Sequence, residues 1–201
     1  MRKAVKYLFL FVTVLIVACS HNKELDPASY VHYVESPDNG LLLKEKINGV
    51  GYSLQYQPTD YLVMLEMRSF QIPEDTFKME YNRFKGLEHY NFHIARKEID
   101  SIVSKMNDTA KIKKQVTEYF DFKIQKDIKL LEGSDTVKCA ICQCESDGNI
   151  TPYYSFVIGF PKKNYDGDRR FVFYSKVLGT GEVKLTLKGS KIRDIPALKM
   201  I

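Results

Sequence analysis

The stretch Leu41-Leu42-Leu43-Lys44-Glu45-Lys46-Ile47-Asn48-Gly49-Val50-Gly51-Tyr52-Ser53-Leu54-Gln55-Tyr56-Gln57 decides the fold class. Asn-Gly tolerates positive φ at two successive positions, so it seats a two-residue type I′ turn between antiparallel strands. With the turn at Asn48-Gly49, Ile47 faces Val50, Glu45 faces Tyr52, Leu43 faces Leu54 and Leu41 faces Tyr56. By the period of two these residues share one face, on which only Glu45 is polar. Lys44, Lys46, Ser53 and Gln55 fall on the other. Turn chemistry and patterning therefore agree on a hairpin over 41–57.

Outward from the hairpin, Ser36-Pro37-Asp38-Asn39-Gly40 is a turn cluster and Pro58 ends the second strand. Thr59 or Asp60 can cap a helix running through Met67, and Pro73-Glu74-Asp75 opens another, with Phe77, Tyr81 and Phe84 at helical spacing and Gly86 as its stop. Tyr90, Phe92 and Ile94 alternate as a strand, and Asn107-Asp108-Thr109 offers caps for a helix over 110–119. From there the period changes to two. Phe120-Phe122-Ile124, Val137-Cys139-Ile141, the apolar run 153–160, Phe171-Phe173 and Val183-Leu185-Leu187 read as consecutive strands. Turns at Gly133-Ser134, Asp147-Gly148-Asn149, Asp166-Gly167-Asp168 and Gly179-Thr180-Gly181 separate them. Helices first and strands afterwards predict an α+β fold, an antiparallel β-sheet with helices packed on it.

The start of the chain has a different character. Met1 to Lys6 carries three positive charges, and an uncharged run of twelve residues follows from Tyr7 to Ala18. A membrane-spanning helix needs about 20 apolar residues, so this run fits a secretory signal peptide instead. Its end, Ile16-Val17-Ala18-Cys19, resembles the lipobox of bacterial lipoproteins. The resemblance implies that Cys19 receives an S-diacylglycerol group and an N-acyl chain such as palmitate after cleavage in front of it. Residues 1–18 are then the signal peptide, 19–30 a lipidated polar tether, and 31–201 a single α+β domain. Ser20, where that family's retention signal would place Asp, implies the cell outer membrane, facing either the periplasm or the surface. Ser36-Pro37-Asp38-Asn39-Gly40-Leu41, the run 52–58, Gly159-Phe160-Pro161 and Gly179-Thr180-Gly181-Glu182-Val183 are similar to a group of small Bacteroidetes lipoproteins without an assigned activity. That likeness implies location and fold and adds no chemistry.

The formal charge of +5 changes meaning once Arg2, Lys3 and Lys6 belong to a removable signal, because 27 basic residues then stand against 25 acidic ones. The densest basic cluster, Lys111, Lys113 and Lys114, lies in a helical pattern and reads as a solvated face, so nucleic acid is not an expected partner. Cys139, Cys142 and Cys144 remain after Cys19. They read as small strand residues, as a partial disulfide, or as a metal or redox site needing His89 or His93 as a fourth ligand. His89 and His93 otherwise read as solvent-facing strand histidines. The acidic turns 145–149 and 166–168 lack the spacing of a calcium loop. No nucleophile elbow, P-loop or dinucleotide fingerprint occurs, so no cofactor is expected. The many Tyr and Phe residues read as core rather than as sugar platforms. The sequence thus predicts a lipid-anchored protein with a binding or scaffolding role toward an envelope protein or glycan. An envelope hydrolase acting on glycan or peptide, or a thiol- or metal-dependent accessory factor, are the alternatives.

Overall fold

A computed structural model describes residues 24–106, 108–145 and 150–200; Cys19 and the signal segment lie outside the described residues. The described chain begins with β1 (Glu24–Leu25), α1 (Pro27–Glu35), β2 (Leu42–Ile47), β3 (Val50–Gln57), α2 (Thr59–Met67), α3 (Glu74–Phe84), β4 (Leu87–Ala95), α4 (Arg96–Ser104) and α5 (Thr109–Phe122). It continues through β5 (Ile128–Glu132), β6 (Asp135–Lys138), β7 (Ile141–Glu145), β8 (Tyr153–Pro161), β9 (Arg169–Tyr174), β10 (Glu182–Leu187), α6 (Gly189–Arg193) and β11 (Ala197–Leu198). The class is α+β, with mostly antiparallel strands and helices packed against them.

The hairpin has the register read from its turn. Ile47 pairs with Val50, Glu45 with Tyr52 and Leu43 with Leu54. Asn48 and Gly49 sit at φ 48° and 87°, as a type I′ turn requires. Asn48 Nδ2 also donates to Thr180 O at 2.9 Å, and Tyr52 Oη donates to Thr180 Oγ1 at 2.7 Å, so the hairpin is tied to the Gly179-Thr180-Gly181 turn.

Two sheets carry most of the strands. One runs β2-β3-β4-β8-β7 and the other β10-β9-β5-β6, while β1 and β11 form a small parallel pair. The two larger sheets face each other across aromatic rings. Phe92 of β4 has its ring centroid 4.8 Å from that of Phe171 and 5.4 Å from that of Phe173, both in β9. All three rings are fully buried. On α5, Phe120 closes one side of this core, 4.6 Å from Tyr154 and 5.2 Å from Phe156. These rings fill the core as expected, whereas Phe70, Phe122 and Tyr174 are exposed.

Several boundaries differ from the sequence reading. Residues 24–30 were expected to be tether, yet β1 pairs with β11 and Tyr30 is buried, so the fold starts before residue 31. Phe120-Phe122-Ile124 is not a strand. The α5 helix continues to Phe122, which is exposed, and buries Val116, Tyr119 and Phe120. Val137-Cys139-Ile141 is not one strand either. The chain breaks at Cys139-Ala140, where Gln125 Nε2 donates to both carbonyls at 3.1 Å, and crosses from β6 in one sheet to β7 in the other. The helix α2 forms where expected, but Pro58 occupies its N-cap and neither Thr59 nor Asp60 caps it.

An ion pair spans the two sheets. Arg169 of β9 donates to both carboxylate oxygens of Glu88 of β4 at 2.7–3.0 Å, and its remaining N–H groups reach Tyr165 O and Gly167 O. Arg169 and Glu88 are 5% and 3% exposed, so every guanidinium direction needs a partner. Glu132 lies 3.7 Å from the same guanidinium, and its Oε2 has no hydrogen-bond partner. Burial, then the charge of Glu88, pushes the Glu132 carboxyl above the ordinary range. Replacing Arg169 strands two carboxylates in the interior. Arg169→Met is expected to lower the unfolding free energy by about 3–5 kcal/mol in urea titrations, the cost of breaking a buried pair from one side.

Candidate functional site

The five-stranded sheet has one face committed to the core; the other is covered where Gln57 and His89 are buried and opens toward Ser53 and His93. Tyr52, Leu54, Tyr56, Tyr90, Phe92, Ile94, Phe156, Ile158 and Phe160 are buried on the inner face. The period of two then puts Ser53, Gln55, Asn91, His93 and Ser155 on the outer face. Strand register lines these up. Lys44 pairs with Ser53, Ser53 with His93, His93 with Ser155 and Ser155 with Glu145, giving one polar row across five strands. The next row is Leu42, Gln55, Asn91, Val157 and Gln143.

A groove of about 720 Å³ lies over the β2-β3-β4 part of this face. Its floor includes Ser53, Gln55 and His93, Lys44 and Lys46 stand on one side, and Pro152-Tyr153 forms the opposite wall. Arg96 at the start of α4 holds that wall. Its backbone N–H donates to Pro152 O at 2.9 Å, its Nε to Thr151 O and its guanidinium to Tyr153 O, both at 3.1 Å. The Tyr153 ring stacks on the His93 imidazole, centroids 3.9 Å apart.

Within the rows, Ser53 Oγ lies 3.3 Å from His93 Nδ1. Ser155 Oγ donates to Asn91 Oδ1 at 3.1 Å and reaches the Glu145 carboxylate. Burial holds the His93 imidazole below its ordinary value, and the charge of Glu145 opposes that shift. His93 is therefore neutral at pH 7 and offers one donor and one acceptor. A serine beside a neutral imidazole is half of a nucleophile-base pair. The other requirement is a set of donors for a developing oxyanion, and the backbone N–H groups of this floor are engaged in the ladders of β3, β4 and β8. The floor suits hydrogen bonding to a ligand better than acyl transfer.

The other candidates fall elsewhere. Cys142 and Cys144 pair across from Ile158 and Phe156, on the inner face, whereas His89 and His93 are on the outer face. The sheet itself separates the thiols from the imidazoles. No disulfide joins Cys139, Cys142 and Cys144, and among the described residues no group of three or more His, Cys, Asp or Glu is arranged to hold a metal ion. Cys139 Sγ donates to Ile141 O at 2.9 Å. A hydrogen bond to Cys139, with burial second, holds the Cys142 thiol well above its ordinary value, which leaves it unreactive. His89 is not solvent-facing. It is buried against the Phe84 ring, 5.9 Å between centroids, with Nε2 3.2 Å from Phe84 O. Lys111, Lys113 and Lys114 are exposed on α5. Asp168 accepts from Lys188 and from Gly189 N, so the exposed carboxylate of that turn is bonded to the protein's own groups.

Comparison with known proteins gives no relative. The chain matches no family model, no curated protein and no solved structure. The groove must be understood from its own residues.

A depressed histidine has a fixed sign in pH dependence. The unfolded chain takes the proton first, so the stability held by neutral His93 is complete above about pH 6.5 and is lost as pH falls through the folded value. In proton NMR, His93 is expected to titrate below about 6.5. Glu145→Gln is expected to move that midpoint further down, because the opposing charge is removed.

Proposed function

We propose that the protein is a lipoprotein of the cell outer membrane, anchored through Cys19, whose domain binds a hydroxyl-rich envelope glycan in the groove over β2, β3 and β4. The anchor half of this reading rests on the signal segment and on Ile16-Val17-Ala18-Cys19. Two or three acyl chains hold a protein stably on a bilayer, where a single chain holds only marginally.

One observation supports the binding half above all. The open part of the outer face carries the Ser53 hydroxyl and His93 imidazole in register with the Gln55 carboxamide, whose Nε2 donates to Val34 O, beside an aromatic wall held by Arg96. Such a surface supplies alternating donors and acceptors over an open length, which suits a polar chain of repeating hydroxyls. A protein partner of the envelope remains the competing occupant. A hydrolase acting on glycan or peptide is favoured only by the Ser53-His93 contact.

The test is binding of the purified protein to isolated sacculi and to soluble outer-membrane polysaccharide. Retention on one of them is expected, with at least tenfold weaker binding by a Gln55→Ala/His93→Ala variant of unchanged melting temperature. Equal binding by the variant, or none by the parent, contradicts the glycan reading. Release of reducing ends, lost in Ser53→Ala, would shift the reading to hydrolysis.

A further inference from the structure

The described fold starts at Glu24, five residues after Cys19. At no more than about 3.6 Å per residue, those five steps span at most ~18 Å. An acylated Cys19 therefore keeps β1 close to the lipid headgroups, and whatever surrounds β1 meets the bilayer. Beside β1, whose own Glu24 is exposed, lies a cluster of apolar side chains. β1 pairs with β11, and Leu198 of β11 lines a small cavity together with Pro27, Met64, Phe70 and Met200. Of these, Phe70 is 53% exposed and Met200 39%. Single exposed apolar residues are ordinary, but these gather where the chain enters the fold. Arg68 ends α2 in a left-handed conformation, φ 49°, and turns the loop 68–73 away from the helix, leaving Phe70 projecting. Exposed Arg68 and Lys199 flank the patch and suit anionic headgroups.

We propose that Phe70 and Met200 form a membrane-contacting face that seats the domain on the bilayer surface, its occupant being lipid rather than a protein. This rests on the anchor reading above. Seating by Phe70 fixes the tilt of the domain on the membrane, whereas the short tether alone would hold only the β1 end near the headgroups. Aromatic rings settle at the headgroup boundary, where an apolar body and a wet surrounding coexist.

The chain contains no Trp, so one introduced indole reports on its own site. The lipidated full-length protein, carrying either Phe70→Trp or Phe122→Trp, is reconstituted into vesicles of phosphatidylcholine and phosphatidylglycerol, with and without brominated acyl chains. Phe122 is 79% exposed on α5, which packs on α4 and β7, and serves as the control. Blue-shifted emission and at least threefold stronger quenching by brominated lipid for Phe70→Trp than for Phe122→Trp are expected. Co-flotation with vesicles but no excess quenching at position 70 overturns the seating face and leaves the anchor standing. Failure to co-float overturns the anchor and the seating face together.

Discussion

The structure depends on one buried guanidinium. Arg169 crosses from the four-stranded to the five-stranded sheet and spends its N–H groups on Glu88 and on two backbone carbonyls. Charged groups survive in such a place only when paired and hydrogen-bonded, so the relative position of β4 and β9 is held within narrow limits. Around that contact the Phe92, Phe171 and Phe173 rings fill the space between the sheets. The inner face of the five-stranded sheet is thereby fully committed. What the protein can offer to another molecule is the open part of the opposite face, where the same alternation places Ser53, Gln55 and His93 in the groove.

Charge balance at the ion cluster is incomplete, since Glu88 and Glu132 share one guanidinium and Glu132 Oε2 lacks a partner. The raised Glu132 carboxyl therefore favours the fold below the ordinary glutamate range, and that contribution fades as pH rises through the raised value. It runs opposite in sign to the buried histidines, so acidification loads the two ends of the sheet differently. The outer-face groove is sensitive through His93, and the inter-sheet contact through Glu132.

The parts legible in the sequence were those set by neighbours in the chain. Asn48-Gly49 fixed the hairpin register because a type I′ turn leaves no choice, and Asp108 capped α5 as its position suggested. Long-range pairing was not legible. Nothing local says that β4 lies between β3 and β8, so the Ser53-His93-Ser155-Glu145 row was invisible although its members sat in polar phase on each strand. Phe120-Phe122-Ile124 fits a period of two, but Val116, Tyr119 and Phe120 satisfy the helical period, and tertiary burial selected the helix. A usable signal went unread in the charges. Glu88 is in phase with Tyr90 and Phe92, Glu132 with Leu130, and Arg169 with Phe171, each announcing a buried ion among core positions. The helix α4 was missed for want of a cap, since Ala95 precedes it and makes no side-chain bond.

A sheet with one face sealed by an ion pair and aromatic rings leaves part of its other face for a ligand, and acylation of Cys19, as proposed, would hold that face at a membrane. The claim on which that picture rests is the acylation of Cys19. Intact-mass and N-terminal peptide spectrometry of the protein purified from membranes tests it most directly. A mature chain beginning at Cys19, carrying a diacylglyceryl group on sulfur and an acyl group on nitrogen, is the expected result. A chain that retains residues 1–18, or that starts at an unmodified residue, would contradict it.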